Sequence, residues 1–357
     1  MTDKVTKWIR PPISALAAYH VPDASGLLKL DAMENPYRWP EPMIDAWLSV
    51  LKEVELNRYP DPAADELKSL LRASFAIPQS AGVLLGNGSD ELIQMILMAV
   101  SGKDRVVMSV EPSFVMYRMI ATFLDMPYVA VPLAKDFSLD KAAVLSAVQK
   151  NKPAVIFIAY PNNPTGNLFP EQDIIDIITS TDAIVVLDEA YFAFADATFM
   201  QRVMQYENLL VMRTVSKMGL AGLRLGYMAG PPDLLNEFDK VRLPYNINVL
   251  TQASTQFALQ HMDVLNQQTG QIKMDRQVLF ENLSVIDDLT VYPSAANFIL
   301  FRTAAGQADR VFTGLKEQRV LIKNLHKAGS ALADCLRVTV GTAQENQQFL
   351  AALQALI

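Results

Sequence analysis

The organisation of this 357-residue chain depends on the stretch TVSKMGLAGLRLGY at residues 214–227. An apolar run at residues 209–212 precedes it and predicts a buried strand. The stretch carries hydroxyls, an amine, loop glycines and a guanidinium, at Thr214, Ser216, Lys217, Gly219, Gly222 and Arg224. An amine condenses with aldehydes, and hydroxyls with a guanidinium bind phosphate. The pattern fits a site for a phosphorylated aldehyde, although a surface loop with one lysine explains it as well.

Composition indicates an ordinary globular protein with a large core, because 51% of the residues are apolar and 19% are charged. The length predicts about two domains. A net charge of −7 without a basic tract argues against nucleic acid as a partner. The single cysteine, Cys335, excludes an internal disulfide and any multi-cysteine zinc site. The three histidines have no metal-ligand spacing, so we expect no metal site.

No apolar run has the length of a membrane span, and the N-terminus lacks an apolar signal core. We therefore expect no membrane partner and a cytoplasmic location.

Predicted strands and helices alternate up to about residues 243–246, where the pattern changes. The predicted strands are residues 83–85, 105–110, 128–131, 154–159, 184–187 and 209–212. The predicted helices lie at 42–54, at 65–75, from the turn at 111–114 to about 124, at 141–148 and at 173–178. Apolar strands alternating with helices predict an α/β fold with a mostly parallel sheet covered on both faces. Ligands bind such sheets at the carboxyl ends of the strands. Four polar features each follow a predicted strand, namely GNGSDE at 86–91, PNNPTG at 161–166, Asp188 and Lys217.

The glycine turn at residues 86–91 lies between a predicted strand and a predicted helix, with Ser89 as the expected N-cap. Backbone N–H groups at such a helix start bind anions. Neither the dinucleotide fingerprint nor the P-loop is present. The turn indicates either a phosphate site or simply a capped helix.

The pattern predicts three parts of the chain. Residues 1–40 are proline-rich and irregular, as in an arm that packs on the small domain or on a partner subunit, or in a tethered tail. Residues 41–245 form the large domain. Residues 246–357 form a smaller α+β domain, with predicted helices at 249–260, 264–286, 308–318 and 344–356 and strands at 298–301, 320–322 and 336–340.

Five motifs in this order resemble the aspartate-aminotransferase fold family of pyridoxal-phosphate enzymes, known as fold type I. They are GNGSDE, PNNPTG, VVLDEAY, SKMGLAGLRLGY and LRVTVGT, and the resemblance covers nearly the whole chain. It implies a large domain with a mostly parallel, seven-stranded sheet covered by helices, plus the smaller domain. Within the family, NRYPDP, LAGLRLGY and CLRVTVGT resemble the histidinol-phosphate aminotransferases most closely.

The resemblance implies the cofactor pyridoxal 5'-phosphate and catalytic roles for Lys217, Asp188 and Tyr191. Lys217 would form an imine with the cofactor and then act as general acid and base. Asp188 would pair with the protonated ring nitrogen. Tyr191 and Asn163 would reach the phenolic oxygen, and Phe114 would stack on the ring.

The phosphate contacts implied by the resemblance come from Ser89, Asp90, Thr214, Ser216 and Arg224. In the family a tyrosine from the partner subunit also reaches the phosphate, and Tyr59 matches it. This implies a homodimer with shared active sites.

For the substrate, the resemblance implies Arg337, with contributions from Lys323, Tyr19 and Asn35. One arginine could bind both L-histidinol phosphate and the carboxylates of glutamate or 2-oxoglutarate, in a reaction of histidine biosynthesis. The chain departs from the family pattern at three points. Lys217 and Arg224 are seven positions apart, one fewer than in many members, Met33 replaces an asparagine, and Lys323 replaces an arginine.

Two alternatives stay open at this point. The same cofactor would serve an aromatic amino-acid aminotransferase or a decarboxylase of a phosphorylated amino acid. A non-catalytic protein that binds a phosphorylated ligand would use the glycine turn alone. The remaining aromatic and methionine residues between 114 and 119 are expected mostly in the core.

Overall fold

The computed structural model describes residues 3–18, 21–102, 104–328 and 330–357. In these residues the strands are β1 Leu28–Lys29, β2 Gly82–Asn87, β3 Val107–Glu111, β4 Tyr128–Pro132, β5 Val155–Ala159, β6 Ile184–Asp188, β7 Leu209–Thr214, β8 Leu225–Gly230, β9 Thr290–Val291, β10 Phe298–Arg302, β11 Val320–Leu321, β12 Lys323–Asn324 and β13 Cys335–Thr339. The α-helices are α1 Asp3–Trp8, α2 Pro11–Ser14, α3 Glu41–Lys52, α4 Asp65–Phe75, α5 Gly88–Val100, α6 Met116–Phe123, α7 Lys141–Asn151, α8 Glu171–Thr179, α9 Pro232–Asp239, α10 Val249–Leu259, α11 Met262–Ser284, α12 Ala308–Glu317 and α13 Ala343–Gln354.

The central element is a seven-stranded sheet in the order β2-β8-β7-β6-β5-β3-β4. Strands β7, β6, β5, β3 and β4 run parallel, and β8 is antiparallel to both of its neighbours. The predicted mostly parallel, seven-stranded sheet is therefore confirmed. Because β8 reverses direction between β2 and β7, the carboxyl ends of β2 and β7 meet at the same edge, beside the first residue of β8.

Helices cover both faces of this sheet, as the uninterrupted apolar strands require. Successive residues of β5 point to opposite faces, so Ile156 and Ile158 pack with α4, α7 and α8. Val155 and Phe157 pack instead with α5, α6 and α9. Every residue of β5 is buried.

The smaller domain is built on a four-stranded antiparallel sheet in the order β12-β13-β10-β9. Its core packs against α11, α12 and α13. The predicted strand at 320–322 is observed as β11, and a separate strand, β12, follows it, because the chain changes partners at Ile322. Strand β11 pairs with β1 from the N-terminal arm, and β12 pairs with β13. The predicted smaller α+β domain is confirmed.

The N-terminal arm is not wholly irregular, so that part of the prediction is wrong. Two short helices and β1 form there, and α2 begins at Pro11, where the fixed φ of proline suits the first turn of a helix. Helix α10 packs against the large domain, and Trp47 Nε1 donates a hydrogen bond to Ser254 Oγ at 2.9 Å. The limits of the three parts at residues 40 and 245 stay predictions. In the described part of the chain, none of the helices combines the length and apolarity needed to cross a membrane.

Candidate active site

A cavity opens at the edge where β2, β3, β5, β6 and β7 end and β8 begins. It is lined by Met33, Ser89, Asp90, Phe114, Ala159, Asn163, Asp188, Ala190, Tyr191, Thr214, Ser216, Lys217 and Arg224. All the cofactor-binding residues predicted within one chain are in this set, and they come from five separate stretches of sequence. The sheet topology brings them together, since each stretch follows or precedes a strand at this edge.

Lys217 lies in a 3₁₀ turn, Ser216–Met218, directly after β7. Its Nζ is 3.3 Å from the carbonyl oxygen of Ala32 and 5.9 Å from the centre of the Tyr191 ring. Burial lowers the pKa of Lys217 to about 8, and the positive charges of Arg337 and Arg224 add to this effect. A larger share of the amine is therefore uncharged near neutral pH than for an ordinary lysine.

Asp188 is the last residue of β6 and is 3% exposed. Its Oδ2 accepts a hydrogen bond from the Tyr117 hydroxyl at 2.7 Å, and its Oδ1 accepts one from the Ala190 N–H at 3.1 Å. Burial raises the pKa of Asp188 to about 6, and these two bonds oppose the rise. The carboxylate is thus largely ionised at pH 7 and would be stabilised by a cation in the cavity.

Asn163 connects the large domain to the small one. Its Nδ2 donates to the Tyr191 hydroxyl at 3.0 Å, and its Oδ1 accepts from Arg337 Nη1. Arg337 Nη2 also donates to the Asp31 carbonyl oxygen at 3.2 Å. Arg337 on β13 is outside the lining set, but its guanidinium reaches the cavity wall through Asn163.

The glycine turn leads into α5 two residues earlier than predicted. The N-cap residue is Asn87, which makes no side-chain cap bond, so the prediction of Ser89 as the N-cap is wrong. The Asn87 N–H donates to Glu91 Oε2 at 2.6 Å. This earlier start places Ser89 within the first turn, at the positive end of the helix dipole and facing the cavity.

The hydroxyls and the guanidinium predicted to bind phosphate lie on the same side of the cavity. Thr214 Oγ1 and Ser216 Oγ are 2.8 Å apart. Arg224 Nη2 lies 3.7 Å from Asp90 Oδ2. An anion here would meet two hydroxyls, a guanidinium and a helix N-terminus, which is a favourable set of donors.

The short connection between Lys217 and Arg224 still brings both side chains into the cavity. This connection consists mainly of two 3₁₀ turns, and Arg224 adopts a left-handed φ of 51° where the chain turns into β8. Close packing at this edge requires Gly226, because a Cβ there would lie 2.6 Å from the carbonyl carbon of Gly88. The backbones of β8 and the start of α5 can therefore touch.

Other predicted residues lie elsewhere. Tyr59 is 81% exposed and stacks on Tyr245, with ring centres 4.4 Å apart. Lys323 on β12 pairs in register with Arg337 on β13, next to the cavity but not lining it. Asn35 Nδ2 donates to the carbonyl oxygen of Met218 at 3.1 Å, one residue beyond Lys217. Tyr19 is outside the described residues.

Sequence reasoning missed two contributors to the cavity. Tyr117 was expected to be a core residue, and its position three residues after Phe114, at the start of a predicted helix, could have associated it with the site. The carbonyl oxygens of Asp31 and Ala32 face Arg337 and Lys217. Contacts of this kind use backbone atoms, so they cannot be inferred from the types of the side chains.

Residues 25–353 match the family model for aminotransferase class I and II. The chain belongs to this family, and the predicted membership is confirmed. It is 55% identical over 353 residues to histidinol-phosphate aminotransferase 2 of Nitrosococcus oceani, an alignment that covers 99% of this chain and 98% of the relative. It is 49% identical over 360 residues to histidinol-phosphate aminotransferase 1 of Ralstonia nicotianae, with 99% and 96% covered.

A solved structure shares the fold. The crystal structure of histidinol-phosphate aminotransferase from Sinorhizobium meliloti, in complex with pyridoxal-5'-phosphate, superimposes with a TM-score of 0.85. The match covers 98% of this chain and 97% of that one at 23% sequence identity. The aminotransferase-like fold predicted from the motifs is thereby confirmed.

Proposed function

We propose that this protein is a pyridoxal-phosphate-dependent histidinol-phosphate aminotransferase, which moves an amino group between L-histidinol phosphate and 2-oxoglutarate. The observation that carries the proposal is the meeting of Lys217 and Asp188 in one cavity, at the ends of the adjacent strands β7 and β6. A protein that only binds a phosphorylated ligand needs no buried carboxylate in the same cavity as an amine of lowered pKa. The names of the relatives at 55% and 49% identity support the choice of substrate.

The residues of the cavity fit pyridoxal phosphate in charge and in hydrogen-bonding chemistry. The N-terminus of α5, Ser216 and Arg224 offer donors to a phosphate, and Thr214 adds a hydroxyl. The ionised, almost fully buried Asp188 suits a positively charged ring nitrogen. The Tyr191 hydroxyl and Asn163 amide suit a phenolic oxygen, and Phe114 offers an aromatic face.

When bound, pyridoxal phosphate supplies an aldehyde that condenses with amines and a ring that takes up electrons from the reacting carbon. Lys217 can give and accept a proton near neutral pH, because its pKa lies at about 8. Asp188 holds a buried negative charge at the cavity wall. The Tyr191 hydroxyl, held by Asn163, is an oriented hydrogen-bonding group.

The anionic end of the substrate is assigned to Arg337, whose planar guanidinium binds phosphate and carboxylate alike. Lys323 lies beside it on β12 and adds a second positive charge. Asn35, which is fixed to the loop after Lys217, and Tyr19 complete the proposed substrate contacts. The alternatives with the same cofactor are an aromatic amino-acid aminotransferase and a decarboxylase of a phosphorylated amino acid.

We further propose a homodimer with shared active sites, in which Tyr59 reaches the cofactor phosphate of the partner subunit. The large exposure of the Tyr59 ring leaves it accessible to a partner subunit, which supports this role, while stacking on Tyr245 of its own subunit orients the ring. We also propose that the domain boundaries lie at residues 40 and 245 and that the protein is cytoplasmic.

The test is a half-reaction followed by the absorbance of the bound cofactor. Mixing the holoenzyme with L-histidinol phosphate should convert the spectrum to that of the pyridoxamine form, and 2-oxoglutarate should reverse it. Lys217→Ala should show neither change. An unchanged spectrum at saturating substrate would contradict the proposal. A higher kcat/KM for phenylalanine, or release of carbon dioxide from threonine phosphate, would favour one of the alternatives.

A further inference from the structure

Tyr117 does not line the cavity, but it contacts two residues that do, Asp188 and Phe114. It is the second residue of α6 and is fully buried, and its hydroxyl donates to Asp188 Oδ2 at 2.7 Å. The ring stacks on Phe157 with centres 4.7 Å apart, and it meets the Phe114 ring edge-on at 5.6 Å. Packing on two sides leaves the hydroxyl one direction in which to point.

We propose that Tyr117 is a positioning residue, which fixes the orientation of the Asp188 carboxylate and holds its charge toward the ring nitrogen of the cofactor. The inference rests on the proposed cofactor and goes beyond it, because it assigns the strength of the Asp188 contact to a side chain that touches neither cofactor nor substrate.

The hydrogen-bond pattern around Asp188 supports this role. The main-chain N–H of Ala190 holds Oδ1, and the phenol holds Oδ2. The χ2 torsion of aspartate is broad, so two donors on two different oxygens are what define its plane. Without the phenol, the carboxylate could rotate about χ2 and would lose a donor that favours its charged form.

The phenol remains a donor at every pH at which such an enzyme works. Burial and the neighbouring Asp188 charge raise the pKa of Tyr117 well above its ordinary value. The other charges that act on Asp188 are those of Asp90 and Glu189, both of which raise its pKa. Among these groups, Tyr117 is the one that stabilises the charged carboxylate by a direct bond.

The test compares Tyr117→Phe with a matched control, Tyr227→Phe. Phenylalanine keeps the ring that packs on Phe157 and removes only the hydroxyl. Tyr227 is equally buried, but it stacks on Phe75 in the core on the opposite face of the sheet. Both variants therefore remove a buried hydroxyl, and only one of them touches Asp188.

Each cofactor-free protein is titrated with pyridoxal phosphate and with its 1-deaza analogue, in which C–H replaces the ring nitrogen. Tyr117→Phe should weaken pyridoxal phosphate binding about tenfold and leave the analogue within about twofold, since the lost bond acts through the nitrogen partner alone. The pKa of Asp188 is measured in the cofactor-free proteins by carbon-13 NMR of labelled aspartate, with the signal assigned by means of Asp188→Asn. In Tyr117→Phe this pKa should be higher than in the wild-type protein. Tyr227→Phe should change none of these values.

Equal weakening of both ligands would overturn the inference, because it would indicate a structural role. Unchanged pyridoxal phosphate affinity or an unchanged pKa of Asp188 would overturn it as well. If the wild-type protein binds neither ligand, the proposed function is wrong. This outcome is distinct from those that overturn the positioning role of Tyr117.

Discussion

Replacing Lys217 by methionine should stabilise the cofactor-free protein at neutral pH, because a charged ammonium no longer has to be buried. The pKa of Lys217 is about 8 in the folded protein, against 10.5 as the ordinary value. Below pH 8 both the folded and the unfolded chain carry the proton, so the whole penalty is present. Between pH 8 and 10.5 the unfolded chain binds a proton that the folded protein has released, so the free energy of unfolding rises with pH.

The size of the effect follows from the width of this window. At about 1.36 kcal/mol per pH unit, it amounts to about 3 kcal/mol. Since Lys217 is half-buried and keeps some contact with solvent in the cavity, screening reduces this to about 2–3 kcal/mol. The advantage of Lys217→Met over wild type should shrink by that amount between pH 7 and pH 10.5.

Urea unfolding of both proteins without cofactor, at a series of pH values, measures this difference directly. Lys150→Met serves as the matched control, because Lys150 is an exposed lysine at the end of α7. Its difference from wild type should not vary with pH. A Lys217→Met difference that is equally flat would refute the reasoning that burial in this cavity lowers the pKa of the amine.

Three further results are expected. Arg337→Lys should lower kcat/KM for both L-histidinol phosphate and glutamate by about tenfold to a hundredfold, since the planar guanidinium serves both anions; loss with one substrate only would show that the other binds elsewhere. Gly226→Ala should lower the free energy of unfolding by about 1–3 kcal/mol and weaken cofactor binding, because its Cβ would overlap the backbone at the start of α5. The control Gly222→Ala, whose Cβ meets nothing within 4 Å, should change neither the free energy of unfolding nor cofactor binding. Thermal denaturation and cofactor titration of both variants measure these two quantities. Mixing inactive Tyr59→Ala and Lys217→Ala subunits should restore up to about a quarter of wild-type activity, since each hybrid dimer has one intact site; a mixture without activity would argue against shared sites.

The sheet and much of the cavity could be predicted because both depend on local sequence. Apolar strands alternating with helices require a covered parallel sheet, and the ends of such strands meet at one edge. Asp188 ends β6 and Lys217 lies three residues after the end of β7, so their proximity follows from the pairing of these two adjacent strands. Helix α4 occupies the predicted residues, Asp65–Phe75, because an apolar stripe and acidic residues in its first turn define it.

The features that could not be predicted depend on contacts between distant parts of the chain. The hydrogen bond from Tyr117 to Asp188 joins residues 71 positions apart. The hydrogen bond from Lys217 Nζ to the carbonyl oxygen of Ala32 joins residues 185 positions apart. Its acceptor is a backbone atom, so the type of the side chain gives no information about it. The sequence pattern predicts the start of α5 two residues late, because a serine after a glycine resembles an N-cap, whereas the N-cap is Asn87 and the helix begins at Gly88.

The central claim is that Lys217 holds pyridoxal phosphate in this cavity and releases it to the substrate. Borohydride reduction of the holoenzyme, followed by proteolysis and mass spectrometry, locates the amine that carries the cofactor. We expect the pyridoxyl group on Lys217, and we expect it to be absent when saturating L-histidinol phosphate is added before the borohydride. Labelling of another lysine, or a label on Lys217 that survives the substrate, would contradict the account.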